Sequence, residues 1–119
     1  MSAPRQNHCI DYLELPAGDA AQLGGTRQFY QRVFGWKYRE WGDSYADTSS
    51  SGIESGVSVD PPRAGKPLPV IYASDLEATL ASVVQQRVRI VREIFAFPGG
   101  RRFHFLDPAG NEIAVWSDR

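Results

Sequence analysis

Apolar and polar positions alternate with a period of two in the first strand-like run of this chain and take helical spacing in two places. His8–Leu15 reads HCIDYLEL: Ile10, Tyr12 and Glu14 point one way, Cys9, Asp11, Leu13 and Leu15 the other. That is a strand, ended by Pro16 and Gly18. A helix follows, capped by Asp19 or Thr26, with Phe29, Tyr30, Val33 and Phe34 as its apolar stripe and Gly35 as its stop. Trp36–Trp41 and Tyr45–Thr48 are two short strands around Gly42-Asp43-Ser44. Ile53–Val59 is a weaker strand, because Gly56 interrupts it.

Pro61-Pro62-Arg63-Ala64-Gly65-Lys66-Pro67 has linker composition, and beyond it the succession repeats. Leu68–Ala73 is an apolar strand. Ser74 or Asp75 caps a helix whose Leu76, Leu80, Val83 and Val84 share one face. Arg89–Ile94 is a strand, Pro98-Gly99-Gly100 turns the chain, and Phe103–Leu106 and Ile113–Trp116 close it as a hairpin. Between them, Asp107-Pro108-Ala109-Gly110-Asn111 has type I turn chemistry: Asp to bond back to the backbone, Pro with φ preset, Gly to take positive φ. In the last strand Glu112, Ala114 and Trp116 share a face.

Residues 8–59 and 68–117 therefore each read β-α-β-β-β, joined by 60–67 within one domain, 1–119. The expected fold is α+β: two βαβββ modules forming a curved mixed sheet, one helix covering one face of each four-stranded half. The opposite face carries Tyr12, Tyr45, His104 and Trp116, too aromatic to stand fully in water, and is expected to line a concave cleft for a ligand.

Composition changes this picture little. Of 119 residues, 42% are hydrophobic and 23% charged, as in an ordinary globular domain. A net charge of −1 gives no global reason to bind nucleic acid, and no apolar run approaches the roughly 20 residues that span a bilayer. The N-terminus lacks the apolar core of a secretory signal, so a cytoplasmic protein is expected. Cys9 is the single cysteine, which excludes an internal disulfide and a multi-cysteine metal site. It is expected as a small buried apolar residue.

The β-α-β-β-β repeat, Phe29-Tyr30 followed by Val33-Phe34-Gly35-Trp36, the opening strand Tyr12-Leu13-Glu14-Leu15-Pro16, and Phe103-His104-Phe105-Leu106-Asp107-Pro108-Ala109-Gly110-Asn111 together resemble the vicinal oxygen chelate superfamily. This is the group of glyoxalase I, bleomycin-resistance proteins and extradiol dioxygenases. The resemblance implies four metal positions in the enzymes of the group. Carried over, the strand-one ligand falls on Tyr12, the strand-five ligand on Pro69 and the strand-eight Glu on Ala114. For strand four, Glu54, Gly56 or Ser58 holds the place, and only Glu54 can ligate. No metal and no other cofactor is expected from such a set.

The resemblance then implies a homodimeric protein that binds a small organic molecule in a cleft lacking the usual ligands, in the manner of bleomycin-resistance proteins. The alternative is a glyoxalase-like lyase, isomerase or dioxygenase. It would use either an irregular metal shell from His8, Glu54 or His104, or metal-free acid–base catalysis by His104 and Glu14. His104 stands where fosfomycin-resistance members carry a substrate-contacting Tyr. An imidazole there can donate a hydrogen bond or take a proton. Glu14 needs pairing, hydration or a ligand if buried, with Arg39 or His104 as candidate partners. Tyr12, Trp41, Tyr45 and Trp116 are candidate stacking surfaces, Arg39 and Arg102 candidate cations, and Arg101 beside Arg102 a second possible anion clamp. Glu112, just after the turn, reads as a solvated strand-entry residue. No nucleophile elbow or phosphate loop is present, and whether the chain is an enzyme is left open by its residues.

Overall fold

The structure is a computed structural model that describes residues 5–59 and 66–119. The bulk of the expected linker, 60–65, lies outside the described residues. The element order is β1 (Ile10–Pro16), α1 (Ala20–Phe34), β2 (Tyr38–Glu40), β3 (Tyr45–Thr48), β4 (Glu54–Ser58), β5 (Leu68–Tyr72), α2 (Leu76–Gln85), β6 (Ile90–Phe97), β7 (Gly100–Leu106) and β8 (Glu112–Ser117). The β-α-β-β-β repeat read from the sequence is thus observed twice, in an α+β fold. The chain forms two compact units: residues 12–59 with 66–68, and residues 5–11 with 69–119. Segment 5–11 groups with the second unit, where the His8 amide donates to the Tyr72 carbonyl at 2.7 Å and the Tyr72 amide to Cys9 at 2.9 Å.

In the first unit the strands run β2-β3-β4-β1, antiparallel except for the parallel pair β1/β4. Asp19 caps α1, its Oδ1 accepting the Gln22 amide at 2.8 Å while the Gln22 side chain accepts the Gly18 amide at 2.7 Å, a reciprocal cap. Gly24 and Gly25 are carried inside the helix, which ends at Gly35 in the left-handed region, φ 74°. Leu23 packs on Ala46 and Val57, and this small cluster is the unit's core. The expected apolar stripe of α1 turns out otherwise: Phe29, Val33 and Phe34 are each more than half exposed. The stripe packs on itself instead. Tyr30 stacks on Trp36 at 4.6 Å between centroids, and Phe34 lies 5.8 Å from Trp36.

The second unit runs β5-β8-β7-β6, with β5/β8 parallel. Asp75 caps α2 through the Ala78 amide at 3.0 Å. Its core is larger: Ala73, Leu76, Phe103 and Val115, with Ile71, Leu80, Val83, Ile94 and Phe105 packed against them. Val84, expected on that face, is half exposed. The β7–β8 turn forms as its residues dictate. Gly110 takes φ 88° and donates to the Asp107 carbonyl at 2.8 Å, and Asp107 Oδ1 accepts the Ala109 and Asn111 amides at 3.0 and 2.8 Å. The Asn111 side-chain amide, donating to Oδ2 at 2.9 Å, and after it the backbone amides on the carboxylate hold Asp107 below the usual carboxylate range.

Two irregularities break β6 against β7. Ile90 pairs with Phe105, Arg92 with His104 and Phe95 with Arg102, so one extra residue of β6 enters in each interval. Each insertion reverses which face the following residues take. Cys9 also departs from expectation. It precedes β1 in a turn and is exposed, with Sγ 3.6 Å from Gln6 Oε1.

Candidate functional site

In each unit the helix covers one face of the strands, and the registers assign the side chains. The opposite face is open only in that no helix lies on it, since its Glu14, Val70, Tyr72, His104 and Ala114 are each less than 5% exposed. In the first unit, Tyr12 pairs with Glu54 and Glu14 with Gly56 across β1/β4; Tyr45 pairs with Ser58 and Asp47 with Gly56 across β3/β4; Arg39 pairs with Asp47. All stand on the open face, since paired residues share a side. Tyr12, Glu14, Arg39, Trp41 and Tyr45, singled out from the sequence, are therefore gathered on one surface. Asp47 organises its outer part. Its carboxylate accepts two bonds from the Arg39 guanidinium at 3.2 Å and one from Trp41 Nε1 at 3.2 Å. The Arg39 guanidinium also lies 5.4 Å from the Trp41 ring centroid.

Deeper in, the Tyr12 and Tyr45 hydroxyls are hydrogen-bonded to each other over Gly56. A β-carbon at Gly56 would meet Tyr12 Oη and come within 2.9 Å of Tyr45 Cε1 and Oη. The glycine that weakens β4 as a strand is thus the floor the two phenols need. Burial above all, with the neighbouring Tyr45, Glu14 and Asp47, drives the Tyr12 phenol far above its ordinary range, so it stays neutral. Glu14 is buried, 4% exposed. Of the partners expected for it, Arg39 is bonded to Asp47, and the carboxylate on His104 is that of Glu112.

In the second unit the open face holds Val70, Tyr72, Ala114, Trp116, Arg102, His104 and Glu112, and across the irregular β6 ladder Arg92, Phe95 and Phe97. His104 is fully buried; its Nδ1 lies 2.8 Å from Glu112 Oε2, and its Nε2 is buried with no hydrogen-bond partner among the described residues. A carboxylate oxygen can only accept, so Nδ1 carries the proton and donates. Burial lowers the imidazole's pKa below its ordinary value, the Arg102 and Arg92 charges act in the same sense, and Glu112 opposes them. The ring is therefore neutral near pH 7, with its lone pair on Nε2.

Aromatic rings and cations surround it. Phe95 lies 5.8 Å from the imidazole, the Arg92 guanidinium sits 4.0 Å from the Phe95 ring centre, and Arg102 lies 5.3 and 5.6 Å from the Phe95 and Phe97 rings. Trp116 is held by Asp11, which accepts from Nε1 at 3.0 Å, and packs edge-on to Tyr72 with Arg5 4.7 Å from its ring centre. Arg101 points to the other side. It makes two bonds to Glu77 of α2, at 2.5 and 3.1 Å, and does not join Arg102 as an anion clamp. His8 is exposed before β1, with Nε2 3.3 Å from Thr79 Oγ1.

Glu112, Asp47, Tyr72, Arg92, Phe95 and Phe97 are members of these clusters that sequence reasoning did not pick. Glu112 had a signal: it shares its face with Ala114 and Trp116, and hairpin pairing places Leu106 opposite it, two residues from His104. Pro69 shares its side with Ile71, which packs on the helix-side core, so the open-face residues of β5 are Leu68, Val70 and Tyr72. The expected placement on Pro69 is thus corrected, and the two open-face residues nearest to it are aliphatic. Tyr12 is a neutral phenol and Ala114 has no donor. Among the described residues no three His, Cys, Asp or Glu side chains stand together as a metal shell. These residues do not fit the customary divalent ion.

A β-α-β-β-β module present twice, with an open face opposite each helix, defines a paired-module α+β protein. This chain belongs to the Glyoxalase/Bleomycin resistance protein/Dioxygenase superfamily, whose family model matches residues 9–115. Among solved structures it is similar to an NAD-dependent benzaldehyde dehydrogenase from Legionella pneumophila, with a TM-score of 0.70 and 11% identity, covering 89% of this chain and 96% of that one. A superfamily member from Vibrio splendidus 12B01 superposes with a TM-score of 0.66 at 15% identity, again over 89% and 96%. The Mn(II)-bound glyoxalase from Novosphingobium aromaticivorans gives 0.68 at 22% identity, over 96% of this chain and 40% of that one. No curated protein matches. At such identities the likeness shows the fold, and the variety of names shows how little the fold dictates chemistry.

Proposed function

We propose that this chain is a cytoplasmic small-molecule-binding member of the superfamily that works without the customary divalent metal and takes a planar organic ligand on its open faces. The observation that carries this is the second unit's face: Phe95, Phe97 and Trp116 rings interleaved with the Arg102 and Arg92 guanidinium groups around a buried, neutral His104. Rings and guanidinium planes bind flat π-systems by stacking and cation–π attraction. The donor-poor positions Tyr12, Val70 and Ala114 support the metal-free part of the reading.

Titration of Trp fluorescence with planar aromatic compounds tests it, alongside metal analysis of protein purified without chelators. Saturable quenching that is weakened in Arg102→Ala and Trp116→Leu is the expected result. A divalent ion at one per chain would sink the metal-free reading, and failure of every planar compound to bind would sink the ligand class. Assembly as a homodimer is part of the same proposal, supported by the exposed Phe29, Val33 and Phe34 of α1. Sedimentation showing only monomer at micromolar concentration would remove it. A second reading, metal-free acid–base catalysis, is favoured by one observation, the carboxylate behind His104.

A further inference from the structure

We infer that the His104–Glu112 pair is a proton-accepting site for an acidic hydroxyl carried on a planar ligand, a phenol or an enol. The inference rests on the proposal that the second unit's open face takes such a ligand. Its starting point is the unspent lone pair. With Nδ1–H committed to Glu112 at 2.8 Å, the imidazole's remaining capacity is acceptance at Nε2. That atom is buried and has no partner among the described residues. A buried acceptor left unmade is costly, so a donor brought in by a ligand gains an unusually strong contact there.

What surrounds the nitrogen sets the class of donor. Phe95, with its centroid 5.8 Å from the imidazole and the Arg92 guanidinium 4.0 Å from its ring centre, supplies an aromatic surface for a planar skeleton where Arg92 gives way. The Arg92 and Arg102 charges that disfavour a lone imidazolium favour an oxyanion beside it. The step balances within the pair: the ligand O–H bond breaks, its electron pair stays on oxygen, and the proton passes to Nε2 while Nδ1–H remains on Glu112. Nothing is oxidised or reduced. Glu112 is the positioning residue, fixing the tautomer. Entry requires the side chains beside the ring to part, and Arg92 and Phe95 of the outer strand β6 stand there.

The test pairs 4-nitrophenol with 4-nitroanisole, the same ring with its hydroxyl proton replaced, at a pH where free nitrophenol is mostly protonated. Wild-type protein is expected to bind nitrophenol about tenfold more tightly, the size of a hydrogen bond to a strong acceptor. The bound probe should show the yellow phenolate band. His104→Phe should abolish both the preference and the colour while nitroanisole binding persists, and Glu112→Gln should shrink both. As a check that needs no variant, 15N spectra of wild-type histidines should show the Nδ1–H tautomer, with the Nε2 signal moved by nitrophenol and not by nitroanisole. Equal affinity for the two probes, or a preference unchanged in His104→Phe, overturns this inference alone. If neither probe binds, the planar-ligand reading falls and takes this one with it.

Discussion

The two units share one topology and spend their open faces differently. In the first, polar groups largely bond to each other: Tyr12 to Tyr45, and Arg39 and Trp41 to Asp47. In the second, the central group, His104, bonds a carboxylate with one nitrogen and leaves the other without a partner among the described residues. A self-satisfied face is rigid and specifies structure; a face with a buried acceptor to spare is poised for a ligand. The helix-side cores differ as well, Phe103, Leu76 and Val115 in the second against Leu23, Val57 and Ala46 in the first.

The strongest way to break this comparison is to truncate the two cores. Phe103→Ala should cost about 3–5 kcal/mol and Leu23→Ala about 2–3 kcal/mol in urea denaturation, because Leu23 faces smaller neighbours. Equal costs would erase the asymmetry. Next come the two tight glycines. A β-carbon at Gly100 would collide with the Ser117 carbonyl, and backbone cannot swing aside; at Gly56 it meets phenol tips that can. Gly100→Ala should cost about 2–3 kcal/mol and Gly56→Ala about 1 kcal/mol. The reverse order would mean that the phenol pair is the stiffer element.

A smaller effect distinguishes the faces by pH. The His104 pKa is lower in the folded chain than the unfolded value of about 6.5, so the unfolded state binds more protons as pH falls through that value. Its contribution is complete above the unfolded pKa and is lost as pH drops through the folded one. The lowered carboxyls of Asp107, Glu77 and Asp118 act in the same direction, at lower pH. Subtracting the His104→Gln stability profile from that of the wild type should leave the component just below neutrality; a profile unchanged by that substitution would contradict the buried neutral ring. The slightest signal is spectroscopic. Tyr12 should stay un-ionised in an ultraviolet titration beyond pH 10, and Tyr12→Phe should leave the number of phenols titrating in that range unchanged.

Most of the fold was readable in the sequence because its signals are local. Asp19, Asp75, Gly35 and the Asp107–Asn111 turn each act on backbone within four residues, and the structure uses them as the residue types require. The candidate site was partly legible. Strand alternation alone placed Tyr12 with Glu14, and Glu112 with Trp116. What escaped depends on register. Pro69 follows from the resemblance by sequence position alone, and position fixes no face when the strand's pairing is unknown. Phe95 lay beyond the expected end of its strand, and two insertions reverse parity before it. The exposure of Phe29 and Phe34 was invisible for another reason: a stripe says that a helix is amphipathic, not which of its neighbours are too small to cover it.

Those insertions in β6 carry one more consequence. Continued regularly from Arg92, the ladder would set Ile94 across from Arg102; as built, Phe95 takes that place and Ile94 reaches the core. The same kinks lie on the outermost strand of the sheet, whose free edge would otherwise be a long, straight template for another chain. One deformation therefore sets an aromatic ring against a guanidinium and also blunts a site of fibril growth. Straightening it should trade recognition and solubility away together.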